Sequence, residues 1–134
     1  MTPQTVLLVS LGAALGAPLR FVVERRLRSA YPWGTWVVNV VGSAVLGGLA
    51  GYVSVLADPR SAAVAVALVG TGFCGALTTF GGFAAQVLDL AAAPRGAGAA
   101  ARSWRSSGYA MVSVLACVGV AAAAYVSAVS RGGG

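Results

Sequence analysis

The sequence predicts an all-α membrane protein with four transmembrane helices, the third of which is broken near its middle. The chain of 134 residues is 58% hydrophobic and only 9% charged, with a mean hydropathy of +0.85. Soluble domains carry about a quarter charged residues, so this composition indicates an integral membrane protein. Its apolar residues form four segments, each long enough to cross a bilayer, which takes about 20 residues. The predicted helices are 5–23, 35–56, 62–90 and 107–129, and they make residues 1–134 a single domain.

The first and second helices carry small residues at a spacing of four. Examples are Gly12 with Gly16 and Gly47 with Gly51. This spacing lets membrane helices approach closely, and it fits packing within one subunit as well as a dimer interface. Because four helices bury too little surface to enclose a solvated path, we expect an oligomer in either case.

Asn39 stands in an otherwise apolar run of the second helix, between Val37 and Val41. An unpaired amide in lipid is costly. We therefore expect the Asn39 side chain to face either a hydrogen-bonding partner or a pore.

The third apolar segment is too long and too rich in glycine for one straight helix. Residues 62–90 would extend for about 43 Å as a helix, whereas the hydrocarbon core of a bilayer is about 30 Å thick. Residues 70–83 read GTGFCGALTTFGGF, with five glycines and two adjacent threonines. A break near 75–79 would free backbone groups that lipid cannot satisfy, and broken helices at membrane depth often build ion sites. The break is therefore the predicted functional centre.

The arginines predict the orientation of the chain in the membrane. All nine positive charges are arginines. The loop after the first helix carries three of them and the loop after the third carries Arg95, Arg102 and Arg105, whereas the opposite side carries only Arg60 and Arg131. Positively charged loops favour the cytoplasm, so we expect both termini outside.

The polar residues exclude several functional classes. The three carboxylates, Glu24, Asp58 and Asp89, lie at or near segment ends, and the chain has no histidine. A proton-coupled exporter needs a titratable group at membrane depth, an enzyme needs an activated nucleophile, and two isolated cysteines make no metal site. Apart from Arg20, the arginines lie in loops or near the C-terminus, where they report topology and give no sign of nucleic-acid binding. The sequence predicts passive permeation and no enzyme activity.

Motifs along the whole chain resemble those of the CrcB/Fluc family of fluoride channels. The first helix ends its glycine-rich pattern on Arg20 and Phe21, and the second matches the family's P-x-G-T-x-x-x-N from Pro32 to Asn39. The third carries GFCGALTTF from residue 72 to residue 80, followed by another phenylalanine at 83. The fourth has a polar series at a spacing of four, in which the family often has a tyrosine and two serines: Tyr109, Ser113 and Cys117.

The resemblance implies an antiparallel dimer with two pores, each lined by both subunits, that exports fluoride passively across the bacterial cytoplasmic membrane. Such a pore must replace strongly bound water with donors or partial positive charge, which amides, hydroxyls and the edges of phenyl rings supply. The residues carried over to the pore are Asn39, Thr79, Phe80, Phe83, Tyr109 and Ser113. For Arg20 two roles remain open, attraction of the anion toward a vestibule and an interfacial anchor.

The resemblance also implies a structural Na⁺ on the two-fold axis of the dimer, which is not itself transported. Its ligands would be the backbone carbonyls of Gly75 and Thr78 from each subunit. Hard cations prefer oxygen ligands, and a helix break frees carbonyls without the need for an acidic side chain.

Gly81 and Gly82 depart from the family pattern, which has Ser-Thr at these positions. Two hydroxyls beside the phenylalanine pair are lost, and the backbone there is looser. Besides a conducting fluoride channel, the sequence therefore leaves open a weakly or non-conducting subunit of a heterodimer, and a proton-coupled exporter, which the missing mid-membrane acid disfavours. The partner is either a second copy or a homologous subunit inserted in the opposite orientation. The six-to-two arginine distribution should fix one orientation and therefore favours the homologous subunit.

Overall fold

The computed structural model describes residues 2–29, 31–92 and 98–132, and within these ranges it contains helices and no β-strand. The first two helices are α1 (Pro3–Arg26) and α2 (Trp33–Val55). The third span, Pro59–Ala92, consists of α3 (Pro59–Ala65), a π-helical segment (Val66–Cys74), the single turn α4 (Gly75–Leu77) and α5 (Phe80–Ala92). The last helix is α6 (Ala99–Gly132). Four spans in the described residues are long and apolar enough to cross a membrane, which confirms the predicted all-α, four-span architecture.

Two helices begin earlier than predicted because a polar side chain caps each of them. Thr2 accepts the Thr5 amide at 3.3 Å, so α1 begins at Pro3. The Asp58 carboxylate accepts two amides at 3.1 Å each, so α3 begins at Pro59 and not at residue 62. The Ser61 hydroxyl and these two amides hold the pKa of the Asp58 carboxyl below its usual value, since hydrogen bonds to the ionised form favour it.

The last helix differs most from the prediction, because it begins at Ala99 instead of residue 107. Arg102 and Arg105, which were predicted in a loop, therefore lie on its first turns. Alanine and arginine both have high helix propensity, so the helix continues beyond the point at which hydropathy falls. Arg95 lies outside the described residues.

Helix α1 packs against the third span through glycines that bring the two backbones into contact. A Cβ atom at Gly12 would collide with the carbonyl oxygen of Leu68. From the other side, a Cβ atom at Gly72 would lie 2.6 Å from the carbonyl oxygen of Val9. Such close approach supplies the van der Waals contact on which membrane helices depend for packing.

Helices α2 and α6 pack in the same way. A Cβ atom at Gly47 would collide with the backbone of Ala121, and one at Gly51 would lie 2.5 Å from the carbonyl oxygen of Tyr125. Of the two uses that the sequence left open for the spaced glycines, the structure shows packing within one subunit.

Few side chains are fully buried inside the subunit. The largest are Tyr109, Leu77, Val38 and Thr35, each 1–2% exposed. Many large apolar side chains face outward. In water they would form extensive exposed apolar patches, whereas in a bilayer they form the surface that contacts lipid. Phe80, in the middle of the third span, is 82% exposed. The face of the subunit beside the helix break is therefore open.

Candidate functional site

The third span is interrupted at Thr78 and Thr79, within the predicted window 75–79. Thr78 has an extended backbone (φ −80°, ψ 156°), and its amide donates to the Cys74 carbonyl at 2.9 Å, which ends the first half-helix. The Thr79 amide instead donates to Oδ1 of Asn39 at 2.8 Å. In a continuous helix it would donate to the carbonyl of Gly75. That carbonyl is thereby left without its usual donor.

Asn39 on α2 satisfies both backbone groups of Thr79. Its Oδ1 accepts from the Thr79 amide, and its Nδ2 donates to the Thr79 carbonyl at 3.2 Å. These are the groups that lipid could not satisfy, which explains an amide in a run of valines. Of the two alternatives predicted for Asn39, the structure shows the hydrogen-bonding partner. The second N–H of the amide is not used by this pair of bonds.

Thr79 also begins the second half-helix. Its hydroxyl oxygen accepts the Gly82 amide at 3.0 Å, as an N-cap side chain does. Glycine suits position 82 because a Cβ atom there would lie 2.9 Å from Cγ2 of Thr79, whereas a Cβ atom at Gly81 would meet nothing within 4 Å. The cap uses a lone pair of the hydroxyl, so the hydroxyl proton can be donated to another group.

Arg20 points toward the break. Its Nη1 donates to the carbonyl of Thr78 at 3.4 Å, and the bond is partly buried. The guanidinium therefore lies next to a carbonyl that the helix break freed. Neither of the roles considered for Arg20 from the sequence includes this contact.

A cleft of about 390 Å³, which we term the central cleft, opens beside the break. Predicted pore residues and both predicted cation ligands line it: Asn39, Gly75, Thr78, Thr79, Phe80, Phe83 and Ser113. The rings of Phe80 and Phe83 lie 6.1 Å apart between centroids, at an interplanar angle of 45°. Tyr109 lies just behind the cleft, with its ring centroid 5.7 Å from that of Phe83.

Tyr109 and Ser113 lie one turn apart on α6, and both are buried, at 2% and 5% exposed. The Ser113 hydroxyl makes no hydrogen bond of ordinary geometry among the described residues, although the Tyr109 hydroxyl is close enough to interact with it. A buried hydroxyl without a partner costs free energy. Because Ser113 also lines the central cleft, its hydroxyl is a donor that water or an anion in the cleft can satisfy.

A chain of hydrogen bonds, which we term the polar chain, runs from Tyr109 to the end of α1. The Tyr109 hydroxyl donates to Oε1 of Gln86 at 3.1 Å, and Nε2 of Gln86 donates to the Thr35 hydroxyl at 2.6 Å. The Thr35 hydroxyl in turn donates to Oε1 of Glu24 at 3.4 Å. The polar chain thus joins α6, α5, α2 and α1.

The outer end of the polar chain opens into a second cleft, of about 420 Å³, which we term the vestibule. Its lining includes Glu24, Arg28, Tyr31, Thr35, Gln86 and Asp89. Because Arg28 belongs to the arginine-rich connection after α1, the vestibule lies on the side predicted to be cytoplasmic. The polar chain therefore leads from the vestibule to the phenylalanine pair.

Reasoning from the sequence did not identify Gln86, Thr35 and Glu24 as site residues. A signal was present in the spacing, since Gln86 follows Phe83 by three residues and Thr35 precedes Asn39 by four. Residues at these spacings share a helix face. Helical spacing from the predicted pore residues could therefore have identified these polar side chains as candidate site residues.

Of the two carbonyls predicted to bind a hard cation, that of Gly75 is more available than that of Thr78. Gly75 is exposed, and its carbonyl lacks the Thr79 amide as donor. The Thr78 carbonyl is shared with the Arg20 guanidinium, which lowers its availability to a cation. No group of three or more His, Cys, Asp or Glu side chains in the described ranges is placed to hold a metal ion, so a cation at this site would depend on backbone oxygens.

Comparison with known proteins identifies one family. The family described as CrcB-like protein, Camphor Resistance (CrcB), matches residues 7–125. A Frankia casuarinae protein named fluoride-specific ion channel FluC 1 is 46% identical over 91 residues, which are 63% of this chain and 70% of the relative. A Streptomyces avermitilis protein of the same name is 43% identical over 102 residues, 72% of this chain and 79% of the relative.

A Thermobifida fusca protein, also named fluoride-specific ion channel FluC 1, is 44% identical over 93 residues, 66% of this chain and 72% of the relative. All three relatives are named as ion channels and none as an enzyme. The family match covers the second and third spans completely and most of the first and fourth. The chain therefore belongs to the CrcB family, as its motifs predicted.

Proposed function

We propose that the chain is a subunit of a fluoride-selective channel that conducts the anion passively across the bacterial cytoplasmic membrane. The observation that carries this proposal is the polar chain, which leads from the vestibule to the Phe80–Phe83 pair beside the helix break. The names of the relatives support fluoride as the ion.

The central cleft offers groups that suit a small, strongly hydrated anion. The second N–H of Asn39, the hydroxyl proton of Thr79 and the unpartnered hydroxyl of Ser113 can each be donated to it. The edges of the Phe80 and Phe83 rings carry partial positive charge. No carboxylate lines this cleft within the described residues, so an anion there meets donors without a fixed negative charge.

The absence of an acidic group from the central cleft favours passive conduction over proton coupling. An exporter that exchanges protons for substrate needs a titratable side chain that both can reach. Glu24 and Asp89 line only the vestibule, at the end of the polar chain.

A second subunit, inserted antiparallel, would complete the path. Phe80 is 82% exposed and Gly75 is exposed, although both line the central cleft in the middle of the third span. A path for a hydrated anion cannot be left open to lipid. A second subunit packed over this face would close the cleft and bring two copies of the break together.

A structural Na⁺ would lie between the two breaks, held by the carbonyls of Gly75 and Thr78 of each subunit. The freed Gly75 carbonyl supports this proposal, and the Arg20 contact at Thr78 limits it. We expect complete replacement of Na⁺ by a large organic cation to lower both the thermal stability of the purified protein and fluoride efflux. Equal stability and efflux in both media would remove the ion from the proposal.

Efflux from liposomes tests the proposed function directly. Purified protein is reconstituted into vesicles loaded with either fluoride or chloride, and an ion-selective electrode follows release after valinomycin sets the potential. We expect fluoride release well above that of protein-free vesicles, and chloride release no faster than theirs. Equal release of the two anions would contradict selectivity, and no release of either, from this chain alone or together with a homologous subunit of opposite orientation, would contradict conduction.

A second candidate function, a weakly conducting or non-conducting subunit of a heterodimeric channel, is favoured by Gly81 and Gly82. Neither position offers a hydroxyl beside the phenylalanine pair, and Gly81 leaves open space there. Fluoride release only after a homologous second subunit is reconstituted with this chain would support this candidate over the first.

A further inference from the structure

The hydrogen bonds of the polar chain all run in one direction. An ionised carboxylate can only accept, so Glu24 accepts the hydrogen bond that the Thr35 hydroxyl donates. Thr35 must then accept from Nε2 of Gln86, which turns Oε1 of Gln86 toward Tyr109. The Tyr109 hydroxyl donates to that oxygen. Every hydrogen bond of the polar chain is thus donated in the direction of the vestibule.

The backbone of Glu24 lies against the start of α2. A Cβ atom at Gly34 would lie 2.7 Å from Cα of Glu24, so the end of α1 and the start of α2 touch at this point. Thr35 follows directly and is only 1% exposed. The Cα atom of Glu24 is therefore close to Thr35, and the 3.4 Å bond from the Thr35 hydroxyl to the carboxylate is the longest of the three.

The direction of the chain has a consequence at its inner end. Because the Tyr109 hydroxyl donates its hydrogen bond to Gln86, it can only accept hydrogen bonds from its other neighbours. Ser113 lies one turn away and lines the central cleft with an unpartnered hydroxyl. An anion in this region needs donors, and a Tyr109 hydroxyl whose proton is committed to Gln86 is not one. Reversal of the chain would free that proton for the neighbouring Ser113 hydroxyl, which lines the central cleft.

We propose that Glu24 is a positioning residue that sets the direction of the polar chain and thereby limits the donors available to the anion. This inference rests on the proposed function, because it concerns the conduction of an anion past Tyr109. A neutral side chain at position 24 can donate to Thr35, and Thr35 can then donate to Gln86. The Gln86 amide would turn so that its Nε2 faces Tyr109. The Tyr109 hydroxyl would then no longer donate to Gln86.

The test is a double-mutant cycle in the liposome efflux assay. Glu24→Gln supplies an amide that can donate to Thr35, and we expect fluoride efflux to rise by about fivefold, the factor that corresponds to one net hydrogen bond. Thr35→Val removes the hydroxyl that links position 24 to Gln86. In a Thr35→Val background, Glu24→Gln should therefore have no effect on efflux, since the two sites act through one shared bond.

Asp89→Asn is the matched control. Asp89 is the other carboxylate that lines the vestibule, and no hydrogen bond joins it to the polar chain in the described structure. If a negative charge near the entrance merely repels fluoride, both neutral variants will raise efflux and Thr35→Val will not matter. That outcome, or an unchanged efflux in Glu24→Gln, would overturn the proposal.

An infrared measurement provides a readout that does not depend on conduction. The ring C–O band of tyrosine responds to whether the hydroxyl donates or accepts, and subtraction of a Tyr109→Phe spectrum assigns the band of Tyr109. We expect the band to shift in Glu24→Gln and to stay in place in Asp89→Asn. If wild-type vesicles release no fluoride either with or without a homologous subunit, the proposed function fails. An unshifted band in Glu24→Gln overturns the positioning role in any case.

Discussion

At the scale of single residues, Asn39 separates what the sequence predicts from what only the structure supplies. Burial of an unpaired amide is costly, so the need for a partner or a pore followed from its apolar neighbours alone. The identity of the partner did not, because Thr79 lies 40 residues away along the chain. The same limit applies to Gln86, whose partners are 51 and 23 residues distant.

Phe80 and Phe83 carry the first prediction. We expect Phe80→Ile and Phe83→Ile to reduce fluoride efflux by about tenfold or more, which corresponds to about 1.4 kcal/mol in the barrier. The positive ring edges are lost in both variants while most of the apolar volume remains. Liposome efflux and the thermal stability of the purified protein measure the two effects separately.

Phe21→Ile is the control for this pair. Phe21 is 59% exposed on α1 and lies outside the central cleft, so its replacement should leave efflux unchanged. Wild-type efflux in both pore variants would exclude a path lined by phenyl rings.

At the scale of helices, hydropathy predicted four spans but not their ends or their internal geometry. The spans begin earlier where Thr2 and Asp58 act as caps and where α6 extends beyond the apolar region. Residues 75–79 were predicted to contain the break because glycine and paired threonines interrupt a segment that is too long. The π-helical segment Val66–Cys74 before the break was not predicted, since its composition is that of any glycine-rich apolar helix.

The two glycines at the start of α5 carry a prediction about the second half-helix. Gly81→Ala adds a methyl group in open space, and we expect it to stabilise the protein by about 0.5–1 kcal/mol because alanine loses less backbone entropy. Gly82→Ala places a methyl group 2.9 Å from Cγ2 of Thr79. It should lower stability relative to Gly81→Ala, because the Thr79 cap must move.

Thermal unfolding in detergent compares the two alanine variants under one condition. Equal melting temperatures would show that the Thr79 cap is not required for α5. A lower melting temperature for Gly81→Ala alone would show that position 81 is covered by a second subunit.

At the scale of the whole molecule, the arginine distribution determines the orientation in which a subunit inserts, and this orientation limits which subunits can pair. The fold of one subunit does not contain this information. A chain that pairs with an antiparallel copy of itself must insert in both orientations, so its positive charge should be nearly balanced. Here six arginines lie on the predicted cytoplasmic side and two on the other. The positions of Arg102 and Arg105 on the first turns of α6, and not in a loop, leave this count unchanged.

The final prediction is that the chain inserts in one orientation and pairs in the cell with a homologous subunit of opposite bias. Positive charge near short loops fixes topology, and two copies held in one orientation cannot form an antiparallel pair. We expect a periplasm-active reporter fused to the C-terminus to be active and a cytoplasm-active reporter to be silent. Replacing Arg25 and Arg26 by glutamine reduces the difference to four against two, and should allow part of the protein to insert the other way. Comparable activity of both reporters on the wild-type chain would instead establish dual topology, and a homodimer would then need no partner.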